Sequence, residues 1–93
     1  MDSVMTNISA IEQYGKNVRT VEQQMLQMFQ KLKQQTDTAG TWWKDEQYER
    51  FRQDFDQDIM KNVQEMAAKM ELFANYIAKM CEIHRMAQQQ KYY

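Results

Sequence analysis

What most constrains this chain is its scarcity of helix breakers: there is no proline among 93 residues, and there are only two glycines. Proline removes a helical hydrogen bond and clashes with the preceding turn, and glycine inside a helix costs about 1 kcal/mol relative to alanine. Where both are rare, a helix runs on until some other signal stops it. One such signal stands near the middle, Thr36-Asp37-Thr38-Ala39-Gly40-Thr41, followed at once by Trp42-Trp43-Lys44-Asp45. Glycine just past a helix commonly closes it in the left-handed conformation, and aspartate is a strong N-cap. Gly40 is therefore expected to end the first helix, and Thr41 or Asp45 to open the second, with Asp45 the better side-chain acceptor. Ser3, Thr6 and Asn7 are the candidates to cap the first helix. The expectation is one all-α domain over 1–93, an antiparallel two-helix hairpin. Its first helix covers about 4–38, its bend 39–45, its second helix 46–87, and a polar tail 88–93.

Periodicity supports this division. Val4, Ile8, Ile11, Gly15, Val18, Glu22, Met25, Phe29, Leu32, Thr36 and Ala39 follow one another in alternating steps of four and three. That is the seam of helices packed side by side. The second segment carries Tyr48, Phe51, Phe55, Ile59, Val63, Met66, Met70, Phe73, Ile77, Met80, His84 and Ala87 at similar steps. Beside it runs a stripe of small residues, Ala67, Ala74, Ala78 and Cys81. A bend centred near Trp42 sets Phe29 against Phe55, Met25 against Ile59, Val18 against Met66 and Ile11 against Phe73, because antiparallel helices rise equally per residue. Gly15 then faces Met70, and His84 to Tyr93 overhang the first helix.

A helix with two adjoining apolar stripes has two neighbours to satisfy. One is its hairpin partner and the other is a different chain. A chain this short also buries little apolar surface alone, and a single cysteine, Cys81, offers no disulfide. The hairpin is therefore expected to dimerise into a four-helix bundle, with itself or with a related hairpin. Val18, Met25, Phe29, Leu32, Tyr48, Phe51, Phe55, Ile59, Met66, Met70, Phe73 and Ile77 are the expected hairpin and dimer packing residues.

Composition narrows the function. A net charge of −1 gives no basic footprint for nucleic acid. No apolar run approaches the roughly 20 residues of a membrane span, and no conventional signal peptide opens the chain. Cys81 and His84 share a helical face, but they are half a metal site with no second half, so no metal and no cofactor is expected. Asp45, Glu46 and Glu49 suit a helix N-terminus. As paired catalytic carboxylates these acids lack a dry concave site, so no enzymatic activity is expected. Nine methionines fit an adaptable core or partner surface. Two adjacent tryptophans in a bend need cover, from the hairpin or from a partner.

With these residues in view, the chain resembles the WXG-motif family, the small early-secreted-antigen-like helical hairpins of type VII (ESX-type) secretion systems. The resemblance covers nearly the whole chain. Trp43 corresponds to the motif tryptophan, Trp42 is an extra aromatic before it, and Tyr48, Phe51 and Phe55 match the aromatic spacing that follows. Asp45 stands where the motif has glycine. The tail signal of many family pairs, Tyr-x-x-x-Asp/Glu, is not matched: Tyr76 is followed by Met80 and Tyr48 by Arg52. The resemblance implies a dimer that is exported without a conventional signal peptide, cytoplasmic before export. It implies as partners a related hairpin, a secretion ATPase, or the helical leader of a larger toxin. Tyr92 and Tyr93 are the candidate export tail. An intracellular structural adaptor that shares the hairpin shape and is never secreted is the alternative.

Overall fold

The computed structural model describes residues 7–90. They form an antiparallel helical hairpin about 72 Å long and 21 by 16 Å across. The first arm is α1, Ile8–Ala39; the second arm is α2, Glu46–Asp54, then a π-helical turn, Phe55–Ile59, and then α3, Met60–Gln90. Local chemistry accounts for the ends. Asn7 caps α1, its side chain accepting from the Ala10 amide at 3.0 Å. Asp45 caps α2 in the same way, accepting from the Tyr48 amide at 2.9 Å, with Glu46 and Glu49 in the first turn against the helix dipole. α3 is still helical at Gln90, past the boundary expected near 87.

Gly40 departs from expectation. It is right-handed, φ −63° and ψ −14°, and no described residue has positive φ. The chain leaves α1 through a tightened turn in which Thr41 N–H donates to Thr38 O and Trp42 N–H to Ala39 O. Glycine is required for space instead: a Cβ at position 40 would lie 3.0 Å from the Tyr48 hydroxyl and 3.2 Å from its ring.

The seam between the arms differs from the one expected. On α1 it follows the expected line through Ile8, Ile11, Gly15, Val18, Glu22, Met25, Phe29, Thr36 and Ala39, except that Leu32 lies outside it and Lys33 is half-buried in its place. On the second arm the buried residues are Tyr48, Phe55, Val63, Ala67, Ala74, Ile77 and Cys81. The small-residue stripe, Ala78 excepted, is thus the hairpin contact. Ile59, Met66 and Phe73 are exposed rather than set against Met25, Val18 and Ile11.

The cause is the π turn. Tyr48 and Phe55 stand seven apart, about two turns, but the next buried residue, Val63, stands eight beyond Phe55. The wider turn absorbs the extra residue, the Met60 amide donating to the Phe55 carbonyl five residues back. It falls in Asp54-Phe55-Asp56-Gln57-Asp58, where aspartate is a weak helix former. An uninterrupted α period runs instead through Ile59 onto Met66 and Phe73, which is how the expected seam slid onto the wrong stripe. The register also differs, by about one to two turns, an offset already present where Lys33 pairs with Asp56. A Cβ on Gly15 would lie 3.0 Å from Ile77 Cγ2, so this glycine makes room for Ile77 and not for Met70. Arg85 pairs with Glu12, so the overhang starts beyond Arg85 rather than at His84.

Removing Gln57 tests this account. Phe55 and Val63 then stand seven apart, so a continuous α-helix keeps both on the seam without the wider turn. We expect the deletion to leave stability in urea unfolding within about 1 kcal/mol of the unmodified chain, with helical circular dichroism little changed. A loss of about 2–4 kcal/mol would show that the turn does more than absorb one residue.

Candidate interaction surface

The bend is held by one side chain. Tyr48 is 5 % exposed, and its hydroxyl donates to Thr36 O at 2.7 Å and sits 3.3 Å from Asp37 O. These are two of the last carbonyls of α1, which have no partner inside the helix. Thr38 O is met by the Thr41 amide and hydroxyl, and Ala39 O by the Trp42 and Trp43 amides. The C-terminus of α1 is therefore satisfied by the bend and by the first turn of α2. Trp43 is half-buried against that turn, its ring 5.5 Å from Tyr48 and 6.1 Å from Phe51, centre to centre. Trp42 is 73 % exposed and has no such cover. Asp45 is extended, φ −143° and ψ 177°, a conformation open to any residue.

Along the shaft the two flanks of the hairpin differ. On one flank Tyr14, Val21 and Met28 recur at sevens on α1, with Leu32 one turn further, all exposed. On the second arm, Ile59, Met66 and Phe73 recur at sevens and are exposed too. Tyr14 and Phe73 meet edge-to-face across the seam, centroids 6.1 Å apart, so the two rows lie on one side of the molecule. Met80 continues the α3 row, half-buried. A shallow groove of about 420 Å³ runs along the α1 row near the bend, lined by Met28, Phe29, Lys31, Leu32 and Gln35. Large exposed apolar patches are uncommon on ordinary protein surface.

Residues one-third of a turn round each helix carry the ion pairs. Arg19 donates to Glu71 at 2.6 Å and to Asn75, and Arg85 to Glu12 at 2.5 Å. Nearer the bend Lys33 lies 2.9 Å from Asp37 and 3.1 Å from Asp56, and both carboxylates push the lysine pKa up. All are partly exposed pairs, which solvent screens and which add little to stability. Their value is directional, since they tie α1 to the second arm in one register.

The packing residues named from sequence thus divide. Tyr48, Phe55 and Ile77 are buried in the hairpin, and Val18, Met25, Phe29 and Met70 are half-buried beside it. Leu32, Phe51, Ile59, Met66 and Phe73 are exposed. Tyr92 and Tyr93 lie outside the described residues. Cys81 is buried with its thiol 4.0 Å from Ile8 O, whereas His84 is exposed. Among the described residues no three His, Cys, Asp or Glu side chains gather as a metal site, and no helix is long and apolar enough to cross a membrane. The Tyr48 hydroxyl and the π turn were missed from sequence. The chain matches no family model, and no curated protein or solved structure is significantly similar to it.

Tyr48→Phe keeps the ring and removes the donor. It leaves a buried carbonyl at the end of α1 short of a partner, and we expect it to cost about 1–3 kcal/mol in chemical denaturation. A neutral result would place the strength of the bend in ring packing alone.

Proposed function

We propose that this chain is a small non-enzymatic WXG-like protein that acts by pairing with a second helical hairpin, as an export substrate or targeting partner of a type VII-like secretion system. The observation that carries this reading is the broad apolar face of Tyr14, Val21, Met28, Leu32, Ile59, Met66 and Phe73, opposed by an ion-paired flank. Among the described residues no large side chain is fully buried within the single hairpin. A second hairpin laid on that face supplies the core that the first lacks and makes a four-helix bundle. The shaft is 72 Å long and 21 Å wide, so covering it engages more than the roughly 800 Å² per side of a standard interface. The partner is a second copy or a related hairpin, including the helical leader of a larger toxin.

The bend supports the secretion half of the proposal. It presents Trp42 uncovered at one end of the rod, where a secretion ATPase or other receptor meets it without disturbing the shaft. Asp45 keeps the turn workable at the motif glycine position because its backbone is extended.

Two measurements separate the parts of this reading. Light scattering at micromolar concentration should give a dimer, or a 1:1 complex when a related hairpin is co-expressed. Val21→Glu with Phe73→Glu should weaken association by about 100-fold or more while the hairpin stays helical. A helical monomer that pairs with nothing would sink the assembly. Export is read independently, by following the tagged chain into the medium with and without the secretion ATPase. Retention in both cases would leave the intracellular adaptor as the better description.

A further inference from the structure

Midway along the seam the apolar alternation is interrupted by Glu22, between Val18 and Met25 on α1. A carboxylate at such a position meets the other helix. Its Oε1 is buried and has no hydrogen-bond partner. Two charged groups face it, Arg19 from its own helix and Glu71 from α3. Arg19 is already engaged across the seam, Nη1 donating to Glu71 Oε1 at 2.6 Å and Nη2 to Asn75 Oδ1. Two carboxylates therefore draw on one guanidinium whose hydrogen bonds go to α3. An ionised carboxylate that is buried without a hydrogen bond is costly, and a neighbouring anion adds to the cost.

One proton relieves both. A protonated Glu22 is uncharged, and its O–H donates to the Glu71 carboxylate, which accepts from Arg19 on the other side. Acid, anion and cation then follow one another across the seam. We propose that Glu22, Glu71 and Arg19 form a proton-operated clasp that tightens the hairpin as the solution is acidified. The clasp lies within one hairpin, so it stands apart from any pairing with a second chain.

Burial and, after it, the Glu71 carboxylate raise the Glu22 pKa, and only the Arg19 charge opposes them. A carboxyl that holds its proton more tightly folded than unfolded favours the folded state wherever it is protonated. Its contribution is complete below the ordinary value of 4.5 and is lost as pH rises through the raised folded value. Acidification from neutrality toward pH 4.5 should therefore stabilise this hairpin.

Thermal unfolding at one fixed protein concentration tests this. Between about pH 7.5 and about pH 5 the melting temperature of the unmodified chain should rise by roughly 2–5 °C. Glu22→Gln supplies an N–H donor to Glu71 without a proton. It should melt above the unmodified chain at the higher pH and lose at least half of the rise. A carbon-detected titration of the Glu22 carboxyl gives a second readout that needs no variant, and its midpoint should lie above 4.5. An unchanged rise in Glu22→Gln, or a Glu22 midpoint at or below 4.5, overturns the proposal.

Discussion

The hydroxyl of Tyr48 is the contact on which the hairpin depends most. A long helix that stops abruptly leaves its last carbonyls without partners, and here they point into the bend rather than into open water. Tyr48 answers two of them from the first turn of the other arm, and in doing so it places α2 beside α1. Two further features follow from its ring. A side chain at Gly40 would crowd the ring, and Trp43 gains a surface to rest on. Asp45 completes the arrangement by capping α2 through the Tyr48 amide, so one residue is held at both its backbone and its side-chain end.

The second constraint is rotational. A helix presents one face along its whole length only if its buried residues keep its period. On the second arm they do not, and the π turn resets the phase between Phe55 and Val63. Its effect reaches well beyond five residues. It brings Ala67, Ala74 and Cys81 to the hairpin contact, where small side chains allow close approach, and turns Ile59, Met66 and Phe73 outward. The second-arm row of the apolar face is therefore a product of the same local irregularity that brings the small residues to the hairpin contact. The partner-binding reading and the intramolecular packing are two sides of one phase shift.

Much of the architecture was legible in the sequence, for reasons that can be named. The absence of proline and the heptad spacing define two helices, and both caps, Asn7 and Asp45, are local chemistry within three residues. The sides of the second arm were harder to read. Both of its stripes are apolar, and Ile59 supplies an unbroken three-and-four step across the point where the structure inserts a residue. Only the run of aspartates around Phe55 hints at the irregularity. Gly40 was given the correct role for the wrong reason, since the demand on it comes from a side chain eight residues later and not from its own dihedral angles. Among the bend residues, the division of labour between Trp42 and Trp43 rests on which of them Tyr48 and Phe51 cover, a tertiary fact that spacing alone does not carry.

The antiparallel arrangement also orders the contacts by chain separation. The Tyr48–Thr36 bond closes a loop of 12 residues, whereas the Cys81–Ile8 contact joins groups 73 residues apart. Loop-closure entropy grows with length, so contacts near the bend form at the least cost, and each one shortens the loop that the next must close. Such a molecule zips from the bend toward its open end and unzips in the reverse order. The Trp-bearing tip is thus the part of the rod whose closure costs the least chain entropy, and the Ile8–Cys81 end the part that leans most on the contacts before it.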